Sequence, residues 1–241
     1  MLEVVISYKK DKDFEEMVEV LESSKISVYD KSATYTNNKY HIIAQPENIY
    51  DEGETYLSHI IENYNKLSDY TIFIKDDIAV CVASKEHFKE TTMNIINTNQ
   101  STYFYIPFHE HSEYNQLMIT YGYTNVFDNY YNDIAKRRYV KSTDIRIKKI
   151  DKFAIKNACK ELNIYIPKYY IASKFASFLL RKDAIHQRPK EFYIKVREWV
   201  IKTEINADVL QLLWPLFFID ECNLVYSSSM LELTHSTKEV V

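Results

Sequence analysis

Asp76 and Asp77 stand side by side just beyond a short apolar, β-prone run, Tyr70-Thr71-Ile72-Phe73-Ile74. Carboxylates are hard oxygen donors. They suit Mg²⁺ or Mn²⁺, which bind through one or two carboxylates and complete their shell with phosphate and water. Such a metal would act as a Lewis acid on a phosphate leaving group. Adjacent acids after a strand are equally an ordinary solvated turn. Glu52 offers a further carboxylate, either to accept from a substrate hydroxyl or to stabilise the positive end of a helix. Asn48 can contact a ligand or close the turn before that helix. His109-Glu110-His111 has the residue types of a metal ligand or general base, and also those of a surface loop. The basic candidates for an anion are Lys31, Arg181, Lys182, Arg188 and the pair Arg137-Arg138.

These residues need elements to hold them. Leu57, Ile60, Ile61, Tyr64 and Leu67 recur at helical spacing, so a helix is expected over 53–67 with one apolar face. Asp51 three residues before Glu54 fits a capping box. The run 70–74 then reads as a strand buried on both faces, which puts Asp76 and Asp77 at its carboxyl end, where open α/β sheets bind ligands. Earlier strands are expected at 2–8, 27–29 and 41–44, with a helix over 13–21 between the first two. Further helices are expected at 84–97 (Ser84 as N-cap; Phe88, Met93 and Ile96 inward), 128–137, 151–162, 189–203 and 206–219, the last interrupted by Pro215. Residues 102–107 and 169–180 are strand-prone, and 78–82 is a strand or an extended loop. Strands alternate with helices early and helices dominate late. The expected fold is therefore one α/β domain over 1–226, with a mixed, mostly parallel nucleotide-binding-like sheet flanked by helices, a helix-rich C-terminal half and a polar tail over 227–241.

Composition narrows the function classes. The chain has 241 residues, 46% of them hydrophobic, enough for a sizeable core. Its net charge of −4 argues against a general nucleic-acid binder. Tyr130-Tyr131 beside Lys136-Arg137-Arg138 is a weak stacking candidate. With Gly53 and Gly122 the only glycines, a P-loop and the glycine-rich dinucleotide fingerprint are excluded. Cys81, Cys159 and Cys222 match no zinc spacing and no disulfide framework. No run approaches a membrane span, and the N-terminus turns charged too early for a signal peptide, so the expected location is cytoplasmic. The favoured residues (Tyr, Phe, Ile, Asn, Lys) have AT-rich codons, which suggests an AT-rich genome such as that of a large DNA virus or a parasite, with the host cytoplasm as the location if viral.

Four segments together resemble one family. They are Val4 to Tyr8, Val28-Tyr29-Asp30-Lys31-Ser32, the stretch from Asn48 to Phe73, and Phe178 to Trp214. Within them Asn48, Glu52, Thr55-Tyr56-Leu57, Asn63-Tyr64, Leu67, Phe73, Ile185, Arg188-Pro189, Phe192-Tyr193 and Trp214 follow the pattern of the domain of unknown function 3431 family in order and spacing. Where that pattern has Gly-Arg before Glu, this chain has Tyr50-Asp51. Where it has Gln-Gly after the strand, this chain has Lys75-Asp76. The missing arginine removes an anion contact, so either another basic residue replaces it or the site has degenerated.

By analogy the family pattern looks like that of glycosyltransferases with a nucleotide-binding α/β fold. The resemblance then implies transfer of a sugar from a nucleotide-sugar to a glycan or small acceptor, with Mn²⁺ or Mg²⁺. Glu52 and Asp77 would be catalytic and Asp76 and Asp77 metal ligands. Tyr8, Lys31, Asn48, Tyr56, Arg181 and Arg188 would contact substrate. The alternatives are a non-catalytic α/β binding module that lost the Gly-Arg segment, and a metal-dependent hydrolase.

Overall fold

The computed structural model describes residues 1–10, 14–21, 24–45, 51–76, 84–98, 104–105, 116–120, 154–166, 169–173, 177–203 and 207–218. Its centre is a six-stranded sheet in the order β3-β2-β1-β4-β8-β5. The strands are β1 (Leu2–Tyr8), β2 (Lys25–Asp30), β3 (His41–Ala44), β4 (Tyr70–Lys75), β5 (Phe104–Tyr105) and β8 (Phe178–Arg181). Strands β1 to β4 are mutually parallel, and β8 is antiparallel to both β4 and β5. A separate antiparallel ribbon pairs β6 (Gln116–Thr120) with β7 (Tyr169–Ser173). The mixed, mostly parallel sheet flanked by helices is the expected fold class, in one α/β domain.

Period-two alternation divides the core between the two faces of the sheet. Val4, Ile6 and Tyr8 of β1 join Ile72 and Ile74 of β4 on one face. There they pack with α1 (Phe14–Glu19) and with Phe88 of α3 (Lys85–Asn97). Val5, Tyr29 and Phe73 join the other core. It is completed by α2 (Asp51–Asn63), α4 (Ala154–Leu162), Ile185 of α5 (Lys182–His186), α6 (Lys190–Thr203) and α7 (Ala207–Phe218). Burial on both faces explains why β4 reads as an unbroken apolar run rather than an alternating one.

Several boundaries moved. Helix α2 starts at Asp51 and passes at Tyr64–Lys66 into a 3₁₀ turn, where an uninterrupted helix over 53–67 was expected. Glu54, half of the expected capping box, has its Oε1 accepting from Arg197 Nε at 2.7 Å and Nη2 at 2.5 Å on α6, and the Asp51 side chain lies outside the described residues. Ser84 does cap α3, accepting from the His87 amide at 3.1 Å. Met93 was expected inward and is 38% exposed. The strand-prone stretch 169–180 is two strands in two sheets. Pro215 does not interrupt α7, which runs through it. Leu212, Leu213, Trp214, Leu216, Phe217 and Phe218 are all buried there, and their burial outweighs a proline cost of about 3 kcal/mol. The expectations for 78–82, 128–137, the His109-Glu110-His111 loop and the tail lie outside the described residues.

Candidate functional site

Because β1 to β4 run parallel, their carboxyl ends share one rim of the sheet. The chain passes from β1 to β2 and β3 on one side and returns to β4 on the other. The reversal makes a topological switch point between β1 and β4, the crevice position where open α/β sheets hold ligands.

Backbone bonds shape this rim. The Asp76 amide donates to Ser7 O at 3.2 Å, the Lys31 amide to Tyr8 O at 3.0 Å, and the Gln45 amide to Asp30 O at 3.0 Å. The Asp76 carboxylate then crosses the crevice. Its Oδ2 accepts from the amides of Lys9 at 2.9 Å and Lys10 at 2.8 Å. A charged acceptor makes these bonds stronger than neutral ones, so Asp76 ties the loop after β1 to the end of β4.

Asp30 does the same for the loop after β2. Its Oδ1 accepts from the Ser32 amide at 2.9 Å and the Ser32 hydroxyl at 2.7 Å, and its Oδ2 from the Tyr35 amide at 2.8 Å. Burial pushes the Asp30 carboxyl up, but the bonds from Ser32, Tyr35 and Ala33 outweigh it and hold the group below its ordinary value. The loop they fold carries Ala33 at φ 56°, a left-handed conformation that an alanine adopts only when its surroundings enforce it.

The α2 side of the crevice is polar. Thr55 Oγ1 is 2.6 Å from Gln45 Oε1 and 3.3 Å from Ser7 Oγ. Ser7 is the register partner of Lys75, so the two side chains leave β1 and β4 on the same face. Lys75 Nζ lies 3.7 Å from Glu52 Oε2, with the lysine side chain 28% exposed and the glutamate 7%. Ser7, Thr55, Glu52 and Lys75 thus gather on the α2 face of the sheet, all but Lys75 buried.

The structure brings Glu52, Asp76 and Lys31 to this rim and separates others from it. Tyr8 ends β1 at the rim but is buried against Phe14 and against Tyr35, 4.7 Å away between ring centroids. Tyr56 lies wholly in the core between Phe73, Phe178 and Trp214, which corrects its place among the substrate contacts. Arg181 pairs in register with Tyr70, the first residue of β4, and is therefore at the opposite end of the sheet from Asp76. Its guanidinium Nε bonds Asp183 at 2.6 Å. Arg188 is at that far end too: Tyr64, beyond the C-terminus of α2, donates its hydroxyl to Arg188 O at 2.6 Å, and the Arg188 guanidinium lies over Phe192. Neither arginine can serve as a clamp for a ligand beside Asp76. Asn48 and Asp77 lie outside the described residues, as do Arg137 and Arg138.

Sequence reasoning passed over Ser7, Thr55 and Lys75. The signal for Lys75 was there: it ends the apolar run of β4, directly before Asp76. It also passed over a buried polar cluster at the far end, on the α2 face. Glu3 Oε1 accepts from Lys25 Nζ at 2.8 Å and Ser27 Oγ at 3.1 Å, and Oε2 from Ser68 Oγ at 3.2 Å. Beside it His59 Nδ1 meets the Tyr29 hydroxyl at 3.1 Å, with Nε2 3.7 Å from Glu3. Burial pushes the His59 imidazole down to about 4, against the pull of Glu3. At neutral pH the imidazole is therefore uncharged, and the short separation from Glu3 is not an ion pair.

Among the described residues no three His, Cys, Asp or Glu side chains form a metal-holding group, and no helix is long and apolar enough to cross a membrane. No curated protein matches the chain. A family model described as "Protein of unknown function (DUF3431)" matches residues 4–229. That match spans β1, the rim, α2 and the C-terminal helices alike, and the chain belongs to the DUF3431 family.

Proposed function

We propose that the chain is a glycosyltransferase-like enzyme that takes a nucleotide-sugar in the β1/β4 crevice and transfers the sugar to a glycan or small acceptor. One observation carries this reading: the Glu52–Lys75 pair and the anchored Asp76 carboxylate both stand at the carboxyl ends of the parallel strands β1 and β4, the rim where open α/β sheets hold ligands. Asp76, together with Asp77, would hold Mg²⁺ or Mn²⁺. Two amide bonds on Oδ2 anchor the Asp76 carboxylate. Such ions need only one or two protein carboxylates when phosphate completes the shell. The bound ion would supply charge stabilisation to a leaving diphosphate. Glu52, buried in the α2 wall, is placed to accept from an acceptor hydroxyl. A cytoplasmic address is part of the same proposal.

A second reading has its own support. The carboxylates of Asp30 and Asp76 both fold loops by accepting backbone amides, which is what a non-catalytic α/β binding module would retain. A thermal-shift screen of nucleotide-sugars with Mn²⁺ separates the two. A ligand at 100 times its dissociation constant stabilises by about 2.7 kcal/mol, so the wild type should gain several degrees. Asp77→Asn should abolish the gain and leave ligand-free melting unchanged. Asp76→Asn should abolish it too, and also lower ligand-free stability by about 2 kcal/mol through the two weakened amide bonds. Equal gains in wild type and Asp77→Asn would remove the metal role. No gain with any nucleotide-sugar would leave the binding module as the better account.

A further inference from the structure

We propose that the amino end of the sheet binds an internal water molecule between His59 Nε2, Thr71 Oγ1 and the Glu3 carboxylate. The three residues come from α2, β4 and β1. Glu3 and Thr71 are register partners on adjacent strands, so their side chains leave the sheet on one face, the face that α2 covers. His59 lies over that face, its Nε2 3.7 Å from Glu3 Oε1 and its ring T-shaped against Phe73, two residues beyond Thr71. All three are sealed from bulk solvent: Glu3 and His59 are 1% exposed and Thr71 is 0%.

The bonds at the other ring nitrogen fix the tautomer of His59. Burial pushes the Tyr29 phenol up, so it keeps its proton, and its oxygen is 3.1 Å from Nδ1. Asn63 Nδ2, oriented by its bond to His59 O at 3.0 Å, is 3.4 Å from the same nitrogen. The phenol can donate and the amide nitrogen can only donate, so Nδ1 is the acceptor. In a neutral imidazole Nε2 then carries the hydrogen. That N–H has no hydrogen-bond partner among the described residues, and at 3.7 Å Glu3 is beyond the range of one. Thr71 Oγ1 is buried without a partner among them as well.

Water answers the three groups together. It accepts from Nε2–H, donates to the carboxylate, and donates to or accepts from the threonine hydroxyl. Glu3 Oε2 has room for it: among the described residues it accepts from Ser68 Oγ alone, at 3.2 Å, while Oε1 takes Lys25 Nζ and Ser27 Oγ. A metal cation does not suit the place. The imidazole turns a hydrogen toward it instead of a lone pair, and Lys25 already supplies the charge that balances Glu3. Internal waters settle where about three hydrogen bonds to otherwise unsatisfied buried groups are on offer. Here the molecule ties α2 to β1 and β4 at the end opposite the rim, while Thr55 meets Ser7 at the rim itself. This inference is independent of what the rim binds.

The test has a part on the wild type and a part on one variant. Nitrogen-15 NMR of the histidine rings at neutral pH should show His59 with a bare Nδ1 and a protonated Nε2, and the Nε2 hydrogen should give a direct contact to a water resonance. Thr71→Val exchanges the hydroxyl for a methyl group of nearly the same shape. Were the hydroxyl idle, its removal would relieve an unsatisfied buried group and raise the urea midpoint. With water bound there, the midpoint should fall. Oxygen-17 relaxation dispersion of the solvent, which counts long-lived internal waters, should also be smaller for the variant than for the wild type. A bare Nε2 in the wild type, a raised midpoint in Thr71→Val, or equal dispersion in the two proteins overturns the proposal. Should Thr71→Val fail to fold, the ring tautomer and the water contact in the wild type still decide it.

Discussion

Single side chains in this protein carry opposite duties at the two ends of one sheet. At the carboxyl rim, Asp30 and Asp76 are charged acceptors for loop amides. At the amino end, Glu3 is the charged acceptor for Ser27, Ser68 and Lys25, while His59 stays neutral beside it. The histidine makes a pH-dependent prediction. Unfolded, its pKa is near 6.5; folded, burial holds it at about 4. Between those values only the unfolded chain takes up the proton. The contribution of His59 is thus fully present above pH 6.5 and is lost as pH falls toward 4. The loss should approach about 3 kcal/mol. Glu3, Lys25 and His41 are the titratable groups that act on the imidazole. Urea unfolding from pH 7 to pH 4 should show the decline in wild type, and His59→Gln should flatten most of it. A wild-type curve with no slope between pH 6.5 and pH 5 would refute the neutral, buried imidazole.

Helix α2 connects the sheet to two of the C-terminal helices. It lies on β1 through Thr55, on α6 through Glu54 and Arg197, and against α7. Gly53 is what lets it approach α7: a Cβ built there would stand 2.3 Å from Leu210 Cδ2. Leu210 is itself buried, so it has little room to withdraw. Alanine would gain up to about 1 kcal/mol of helix propensity. Overpacking of this kind costs about 1–3 kcal/mol, and the net effect of Gly53→Ala should be destabilising. In a Leu210→Ala background the same substitution should become neutral or favourable. A double-mutant cycle by denaturant unfolding measures the coupling, and additivity of the two substitutions would show that the close approach does not exist. The far end of α2 is held by aromatic contacts. Tyr64 packs its ring at a tilt against that of His186, 4.7 Å between centroids, and donates to Arg188 O, and Tyr193 donates to Ile185 O at 2.7 Å. The Asn63-Tyr64 segment and the Arg188-Pro189 to Phe192-Tyr193 segment, two stretches of the family pattern, are therefore parts of one clasp.

Taken as a whole, the molecule has the rim proposed here for a ligand at one end of the sheet and a polar and aromatic clasp at the other. Arg181→Ala and Arg188→Ala should accordingly leave the affinity for a nucleotide-sugar within about twofold, while lowering the melting temperature. A tenfold loss of affinity in either variant, with the fold intact, would contradict the assignment of those arginines to the structural end; each 1.4 kcal/mol is a factor of ten, so the distinction is measurable.

Local pattern determined a good deal of this. The ranges of β1 and β3, the double-sided burial of β4, the apolar face of α2 and the Ser84 cap of α3 follow from periodicity and short-range hydrogen bonding, which depend only on neighbours in the chain. The position of Asp76 at a strand's carboxyl end was legible for the same reason. Partnership across the chain was not. That Lys75 stands by Glu52, that Glu54 spends its carboxylate on Arg197, and that Tyr56 is sealed among Phe73, Phe178 and Trp214 all depend on which elements become neighbours. The arginines show it most clearly. Their spacing in sequence allowed them beside the acids, but β8 runs antiparallel to β4, and that one reversal carries Arg181 and Arg188 to the other end of the sheet. Strand direction is set by packing between segments more than 100 residues apart, a non-local choice that no window of sequence contains.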